Sequence, residues 1–483
     1  MSAIDTIISR NGYGIAKSSL TAEQRTQIQK ELIVTPAAAA NYAAKGPQKR
    51  FAIYGESAAR MWVPRFWGIE KYGTPSKFTL SPGLEINVKP TITLRPYQEP
   101  IVEAYLTAVN PDTGGGGLIC VPCGWGKTKM AIYIMSRIAV KTIIVVHKEF
   151  LMSQWEGELA VTHPELRIGK IQGDICRVDD CDIVIAMIQT IVSRSIEKSV
   201  IDQFGLAIFD ECHHLGAEIF SQTLMQVGCK YLLGLSATPT RKDGLSRVFY
   251  NYIGPIIYQV DKRDLEHVEI HVKYYDSEDE TYSAHPLSVD GTVNMSRLIT
   301  NIADHGPRTD IIILDILAAV KEGRTILILS DRKSQLAYIY TSLTTKGINV
   351  GYYIGGMKQS DLDRTATECD VMLATYAMAA EGMNIPRLNT LIFTSPKSDI
   401  EQSVGRILRL RPEDRKFVPL VIDYVDSHTP LMRQYINARL KFYKKNTYVV
   451  KTYKLSGYSW NETTKATKPP KPVTPTGCLL EEW

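Results

Sequence analysis

The stretch 118–128 constrains the fold of this chain more than any other, because it reads LICVPCGWGKT. A short apolar run leads into a turn with Gly124 and Gly126, and Lys127 and Thr128 open a segment with helical apolar spacing. This order predicts a strand, a phosphate-binding loop and a helix, since glycines let backbone N–H groups surround a polyphosphate at a helix N-terminus. The lysine would reach the outer phosphates and the threonine hydroxyl would bind Mg²⁺. A valine replaces the first glycine of the full pattern, so a chance glycine turn is the alternative.

Apolar runs of strand length alternate with segments of helical spacing from about residue 91 onward, which is the pattern of parallel sheets with crossover helices. A charged stretch interrupts the alternation near 261–290, after which it resumes. The sequence therefore predicts an α/β protein with two parallel sheets in series. The strands expected beyond the phosphate loop are 142–146, 183–186, 206–209, 231–235, 325–329, 350–354, 371–374, 390–393 and 420–422.

Length and composition allow two or three domains, since 483 residues with 44% hydrophobic and 22% charged residues are typical of a globular protein. The predicted division is an accessory domain at 1–90, a first lobe at 91–260, a connection at 261–296, a second lobe at 297–455 and a tail at 456–483. The tail is rich in Lys, Thr and Pro and cannot bury a core, which predicts disorder.

The accessory segment mixes aromatic, basic and turn residues at 62–73. One interpretation is a nucleic-acid contact by stacking and phosphate pairing. The other is a small domain that packs its aromatic side chains on the lobe behind it, which the usual burial of aromatics favours.

The net charge of +5 permits a nucleic-acid partner without arguing for one, because that attraction depends on a clustered basic surface. A basic-then-apolar leader and an apolar run of roughly 20 residues are both missing from the sequence, which predicts an intracellular, soluble protein.

Eight cysteines in a chain this long do not form a disulfide framework. Cys120 and Cys123 lie at a strand end and in the phosphate loop, so small thiols are expected there rather than zinc ligands.

The predicted strand 206–209 is followed by Asp210, Glu211 and His213. A carboxylate at the carboxyl end of a parallel strand, beside a phosphate loop, can hold Mg²⁺ through water, which is the role predicted for Asp210. Glu211 can then accept a proton from an attacking water. An acidic loop without chemistry is the alternative, and His213 is assigned to coupling rather than to metal binding.

Two further segments carry polar residues next to predicted strands. Ser236 and Thr238 follow the strand 231–235, where they either cap a helix or relay the nucleotide state to the other lobe. In 401–409, the spacing of Gln402, Arg406 and Arg409 by four and three places them on one helix face. A guanidinium there can stabilise the charge of a reacting γ-phosphate, and an exposed basic helix is the alternative.

These elements, in this order, resemble superfamily 2 helicases of the DExH type over roughly residues 91–450. The segment 94–98 resembles the adenine-reading Q motif, 124–128 motif I, 145–155 motif Ia, 210–213 motif II, 236–238 motif III, 375–386 motif V and 402–409 motif VI. Motif V has Asn384 where many relatives carry Asp. The resemblance implies two RecA-like lobes with ATP bound between them, and Mg²⁺ as the second cofactor.

The resemblance also implies roles for individual residues. Catalysis would involve Lys127, Glu211, Gln402, Arg406 and Arg409. The nucleotide would be bound by Arg95, Gln98, Gly124, Gly126, Lys127, Thr128, Asp210 and Gly382, with Thr128 and Asp210 at the Mg²⁺. Nucleic acid would be contacted by Lys148, Gln189, Thr190, Ser330, Arg332 and Thr375, and coupling would involve His213, Ser236 and Thr238.

Within the superfamily, LSATPTRKDG at 235–244 and Gly-Pro-Ile at 254–256 resemble the XPB-type branch. That branch includes the transcript-release helicases of poxviruses and other large DNA viruses; 241–243 reads Arg-Lys-Asp where XPB carries Arg-Glu-Asp. The resemblance implies a DNA helicase or translocase that moves 3′ to 5′ without sequence preference, in transcription or DNA repair. Its partners would be DNA and the transcription machinery and, for a viral protein, its location the host cytoplasm or the virion.

Two alternatives to this function remain open. An RNA helicase would have the same core, because backbone contacts discriminate DNA from RNA weakly unless a 2′-OH is read. An ATP-gated subunit of a transcription complex would clamp nucleic acid without unwinding it.

Overall fold

The computed structural model describes residues 4–35, 50–75, 77–122, 124–194, 196–211, 217–237, 245–260, 267–380, 383, 385–410 and 412–463. The chain divides into two compact units, residues 1–261 and 262–483. Among the described residues, no helix combines the length and the apolar character that crossing a membrane requires.

The first unit contains three sheets and the helices that cover them. Its strands are β1 (Thr6–Ser9), β2 (Gly12–Ala16), β3 (Ile33–Val34), β4 (Phe51–Ala52), β5 (Gly55–Glu56), β6 (Arg60–Val63), β7 (Lys77–Phe78), β8 (Gly115–Cys120), β9 (Thr142–Val146), β10 (Ile168–Gln172), β11 (Ile175–Arg177), β12 (Ile183–Met187), β13 (Leu206–Phe209), β14 (Tyr231–Ser236) and β15 (Ile256–Gln259). Its helices are α1 (Ala22–Glu31), α2 (Arg65–Tyr72), α3 (Glu99–Ala108), α4 (Lys127–Ile138), α5 (Glu149–Thr162), α6 (Ile188–Ser193), α7 (Lys198–Ile201), α8 (Ala217–Gln226) and α9 (Ser246–Ile253).

The main sheet of the first unit has eight strands in the order β11-β10-β12-β9-β13-β14-β8-β15. All neighbours are parallel except β10 and β11. The central strands β9, β13 and β14 are buried along their whole length. Helices cover both faces of such a sheet, which is why these strands are continuous apolar runs.

The N-terminal strands form a smaller sheet in the order β5-β6-β2-β1-β7, antiparallel except where β1 meets β7. Tyr13 of this sheet and Trp67 of the adjoining helix α2 belong to the same hydrophobic core as Phe209 and Leu232 of the main sheet. The aromatic side chains of this segment therefore pack against the first lobe, as the favoured interpretation predicted.

Polar contacts also join the N-terminal segment to the main sheet. The Arg65 side chain, 6% exposed, donates hydrogen bonds to the backbone oxygens of Thr113 and Lys230, both at 2.9 Å. Burial lowers the pKa of Arg65 to about 10. The Tyr252 hydroxyl of α9 donates to the Ile53 oxygen at 2.9 Å. The segment 1–90 is thus built into the first unit.

The second unit contains one large sheet. Its strands are β16 (Glu269–Tyr275), β17 (Ile326–Ser330), β18 (Val350–Tyr353), β19 (Val371–Thr375), β20 (Thr390–Phe393), β21 (Leu420–Asp426), β22 (Val449–Ser456) and β23 (Ser459–Glu462). Its helices are α10 (Glu280–Ser283), α11 (Met295–Asp304), α12 (Gly306–Lys321), α13 (Lys333–Thr344), α14 (Gln359–Glu368), α15 (Tyr376–Ala380), α16 (Glu401–Val404), α17 (Thr429–Gln434) and α18 (Leu440–Lys445). A π-helical segment, Tyr435–Arg439, joins the last two.

The strand order of the second sheet is β18-β19-β17-β20-β21-β16-β22-β23, and all neighbours are parallel except β22 and β23. The prediction of two tandem parallel-sheet lobes is confirmed, while the segment 1–90, predicted as a small accessory domain, belongs to the same compact unit as the first lobe. The segment 261–296, predicted as a connection, contains β16, a strand between β21 and β22. Likewise β22 and β23 extend beyond the predicted start of the tail at 456, while 464–483 lies outside the described residues.

Candidate active site

The phosphate loop joins β8 to α4, in the predicted order of strand, turn and helix. Gly124 and Gly126 have φ of +87° and +78°, a left-handed conformation that glycine adopts without steric cost. Lys127 and Thr128 form the first turn of α4, and the Lys127 Nζ lies 3.4 Å from the Val121 oxygen. The loop therefore turns back on itself as a phosphate cradle requires. Cys123 lies outside the described residues.

Gln98 connects the turn before α3 to the phosphate loop. Its Oε1 accepts a hydrogen bond from the Arg95 backbone N at 2.9 Å, and its Nε2 donates to the Trp125 oxygen at 2.7 Å. A Cβ on Gly126 would lie 2.5 Å from this Nε2, so the contact requires a glycine there. Arg95 itself donates to the Tyr97 hydroxyl at 2.6 Å. The predicted base-reading glutamine thus lies beside the loop, with both ends of its amide bonded within the protein.

Asp210 follows β13 at the carboxyl edge of the main sheet and is 5% exposed. The Trp155 Nε1 donates a hydrogen bond to Asp210 Oδ2 at 2.9 Å. Burial, and after it the charge of Glu211, raise the pKa of Asp210 to about 6, which the Trp155 hydrogen bond opposes. This role of Trp155 in orienting Asp210 was not predicted, because no sequence spacing links an indole N–H to a carboxylate 55 positions away.

Glu211 brings the second carboxylate to the phosphate loop. The Lys127 Nζ lies 3.3 Å from Glu211 Oε1, and the two side chains are 10% and 17% exposed. Glu211 has a φ of +46°, an uncommon conformation for a residue with a Cβ. This ion pair shows that the predicted motifs I and II meet in one site.

The oxygen donors at this edge suit Mg²⁺. Thr128 lies in the first turn of α4 after β8, Asp210 follows β13, and β14 lies between the two strands. A hydroxyl and a carboxylate are the ligands that Mg²⁺ takes in nucleotide sites, usually with several waters. Ser236 ends β14 between them and is 1% exposed. His213 and Thr238 lie outside the described residues.

The residues of the first unit that are predicted to contact nucleic acid lie at the same edge of its sheet, after the neighbouring strands β9 and β12. Gln189 donates through Nε2 to the His147 oxygen at 2.9 Å, and the Thr190 hydroxyl accepts from the Gly173 N–H at 3.0 Å. Lys148 precedes α5, and burial lowers its pKa. The structure brings Lys148, Gln189 and Thr190 together, and their contact with a strand stays a prediction.

The equivalent residues of the second unit, Ser330 and Thr375, end the neighbouring strands β17 and β19. Ser330 is fully buried, and its hydroxyl donates to Gln335 Oε1 at 2.8 Å and accepts from the Arg332 N–H at 3.1 Å. The Arg332 side chain donates to the Thr300 hydroxyl at 2.9 Å and the Ser296 oxygen at 2.7 Å. In this structure Ser330 and Arg332 therefore organise the turn after β17.

The segment 401–409 is not the continuous α-helix that the sequence predicts. It begins as α16, which carries Gln402, and continues as a 3₁₀ turn, Gly405–Leu408. Because a 3₁₀ turn has 3.0 residues, the helix face expected from 3.6 residues per turn does not persist. Instead Arg406, 7% exposed, donates to the oxygens of Ala379 (2.6 Å) and Met383 (2.9 Å).

Arg409 lies 3.5 Å from the same Met383 oxygen, measured from its Nη2. Both arginines therefore converge on the turn that follows β19 and α15. Gly382 and Asn384, predicted in that turn, lie outside the described residues.

Comparison with known proteins gives two family matches. Residues 91–241 match the family described as "Type III restriction enzyme, res subunit", and residues 309–411 match the "Helicase conserved C-terminal domain". The first match contains the phosphate loop and the Asp210–Glu211 turn, and the second contains Arg406 and Arg409.

Three viral proteins are similar to this chain. A protein of Acanthamoeba polyphaga mimivirus named "Putative ATP-dependent RNA helicase L396" is 34% identical, covering 94% of this chain and 88% of its own length. African swine fever virus has a "Putative ATP-dependent RNA helicase QP509L", 24% identical over 68% of this chain and 67% of that protein. "Putative helicase 161L" of Invertebrate iridescent virus 6 is 28% identical over 69% of this chain and 77% of that protein.

Proposed function

Since this chain belongs to the superfamily 2 helicases and is similar to those of large DNA viruses, we propose that it is an ATP-driven DNA translocase that separates or tracks strands. Its ATP-dependent helicase activity follows from the family. The choice of DNA, movement from 3′ to 5′ and work beside the transcription machinery are proposed from the XPB-type sequence at 235–244 and 254–256.

The contact that carries the proposal is the 3.3 Å ion pair between Lys127 and Glu211. A γ-phosphate bound at the loop would attract the lysine and leave the Glu211 carboxylate to accept a proton from the attacking water. Thr128 and Asp210 would hold Mg²⁺, whose chemistry here is to neutralise and orient the phosphate oxygens. Trp155 keeps the Asp210 carboxylate in place through its 2.9 Å hydrogen bond.

The remaining site residues have proposed roles in the same cycle. Gln98 would read the adenine, which requires it to exchange its bond to Trp125 for one to the base. Arg406 and Arg409 would supply positive charge to the transferred phosphoryl group, and Gln402 would help to orient it. The residues predicted to contact nucleic acid at the strand ends would bind its phosphate backbone, which carries no sequence information.

RNA is the second candidate substrate, and one observation favours it. The similar proteins of mimivirus and African swine fever virus carry "RNA helicase" in their names. The contacts proposed for Lys148, Gln189 and Thr190 would be to backbone phosphates, which both polymers offer.

The decisive experiment is steady-state ATP hydrolysis without nucleic acid and with single-stranded DNA, duplex DNA or RNA. We expect stimulation by DNA well above that by RNA. Equal or greater stimulation by RNA would overturn the choice of DNA. Stimulated hydrolysis without displacement of a labelled strand would support the alternative of an ATP-gated clamp.

A further inference from the structure

The segment 427–460 has an unusual charge composition. It contains seven Lys and Arg residues and no Asp or Glu, whereas the whole chain has a net charge of only +5. Two of the seven are neutralised within the fold: Arg439 pairs with Asp423, and Lys451 lies 3.2 Å from Glu269. Four of the other five lie on one helical stretch, which consists of α17, the π segment and α18, and Lys454 lies on β22.

The buried side of this helical stretch fixes it rigidly to the sheet. Tyr435, Arg439 and Tyr443 are at most 1% exposed and recur every four residues, so they lie on one side. Arg439 and Tyr443 both donate to the Asp423 carboxylate of β21, the tyrosine at 2.7 Å. The stretch is therefore held in a fixed orientation by a buried charged network.

The exposed side carries the basic stripe, which we define as Arg433, Lys441, Lys444 and Lys445. Lys441 and Lys445 are four residues apart and are neighbours on the helix surface. Arg433 precedes Lys441 by eight residues. A π-helical turn contains more residues than an α-helical turn, so these eight residues make about two turns and place both side chains on the same side of the helix. Among the described residues, no carboxylate pairs with any member of the stripe.

The spacing of the stripe fits a regular polyanion. Lys441 and Lys445 are separated by a rise of about 6 Å, and the whole stripe spans at most about 18 Å. One DNA strand advances about 3.4 Å per phosphate along the duplex axis, so the stripe can meet a run of about five phosphates. Flexible ammonium groups in a row recognise charge rather than base edges, which is the character of backbone contacts.

We propose that the basic stripe is a further nucleic-acid site, which binds the phosphodiester backbone of the strand or duplex on which the motor acts. The site is separate from the contacts predicted at the strand ends, because it lies on a helix that packs on one face of the sheet. It rests on the proposed function only in that nucleic acid is the substrate. Its role is to add affinity without sequence preference and without touching the ATP site.

The test compares two double variants of the full chain. Lys441→Gln with Lys445→Gln removes two cations of the stripe. Lys321→Gln with Lys346→Gln removes two exposed cations on the opposite face of the same sheet, Lys321 as the last residue of α12 and Lys346 just after α13. Binding of a fluorescent duplex and of a fluorescent single strand is measured without nucleotide between about 50 and 200 mM salt. The logarithm of the affinity falls linearly with the logarithm of the salt concentration. Each lost phosphate contact makes this slope less steep, by about 0.9 for a duplex and about 0.7 for a single strand.

We expect the stripe variant to lose about 1.8 in that slope on duplex DNA and about 1.4 on a single strand, and to bind about tenfold more weakly. Its maximal ATPase rate at saturating nucleic acid should match that of the unmodified chain, with the half-saturating concentration raised. Lys441→Arg with Lys445→Arg should restore the slope, because it restores the charge.

Several outcomes would overturn the site. The site is wrong if the stripe variant has the same salt slopes and affinities as the variant at Lys321 and Lys346. It is also wrong if the stripe variant loses binding to phosphatidylserine vesicles while its binding of nucleic acid is unchanged. Thermal melting shows whether the variants are folded. Failure of the proposed function would be recognised by a different result: nucleic acid would bind to the unmodified chain without stimulating its ATPase. The stripe variant would then still differ from the unmodified chain in the salt slope of binding, so the two failures are distinguishable.

Discussion

Glu211 has a left-handed backbone, with φ of +46°, two residues after the end of a strand that is buried along its whole length. Such conformations cost about 1–3 kcal/mol and persist where the surrounding structure enforces them. Here the conformation accompanies a 3.3 Å contact between the carboxylate and Lys127. The backbone of this one residue thus contributes to bringing Glu211, the proposed proton acceptor, to the phosphate loop.

Glu211→Gln tests this role. The amide keeps the size of the side chain but cannot accept the proton of the attacking water, so hydrolysis should fall by about 10²–10⁴-fold. Nucleotide binding should persist, since Lys127 loses a competing anion. Single-turnover hydrolysis and binding of a fluorescent ATP analogue measure the two effects separately. Glu103→Gln, an exposed helix residue, is the control, and turnover near normal in Glu211→Gln would assign the base elsewhere.

At the scale of elements, the turn after β19 depends on the segment 401–409. Arg406 is buried and bonded to two backbone oxygens of this turn, whereas Arg409 approaches one of them at 3.5 Å. The two arginines therefore differ in how much of the fold depends on them, although the sequence assigned them one shared role.

Arg406→Ala and Arg409→Ala should separate the two effects. Both should lose hydrolysis by about 10³-fold or more if they stabilise the transferred phosphoryl group, with nucleotide binding mostly kept. Only Arg406→Ala should also lower the unfolding free energy of the second unit, by about 1–3 kcal/mol for each buried carbonyl left without a donor. Urea unfolding beside steady-state ATPase measures both. Normal turnover at saturating ATP in either variant would exclude that arginine from the chemistry.

Strands with both faces buried could be predicted from the sequence, and β9 and β13 have the expected bounds because continuous apolar runs identify them. β16 could not be predicted in the same way, since it mixes half-buried and buried residues in a charged segment. Its place between β21 and β22 is decided by pairing with strands about 150–180 residues away. The Trp155 contact to Asp210 also joins residues far apart in the sequence, 55 positions, and it forms only in the folded first unit.

At the scale of the whole molecule, the N-terminal sheet is part of the first unit. Trp67 of α2, 3% exposed, lies in the same core as Val248 and Phe249 of α9. Arg65 and Tyr252 add hydrogen bonds between the two parts. The accessory segment therefore stabilises the lobe that contains the phosphate loop.

Removal of residues 1–90 should therefore destabilise the first unit. Exposure of its apolar partners costs roughly 1.5–3 kcal/mol for each large side chain, so several such losses should lower the melting temperature by about 10 °C or more. Differential scanning calorimetry with soluble yield measures this, and Trp67→Ala should give a smaller shift in the same direction. An unchanged melting temperature in the truncated chain would show that the two parts are independent.

The same shared core has a consequence during synthesis on the ribosome. The oxygens that Arg65 bonds belong to Thr113 and Lys230, and the tyrosine that bonds Ile53 is residue 252. At about 5–20 residues per second, roughly 10–40 s separate the emergence of the N-terminal strands from that of their last partners. During that interval the nascent sheet has an uncovered apolar face, which is the surface that a chaperone of the translating cell would bind.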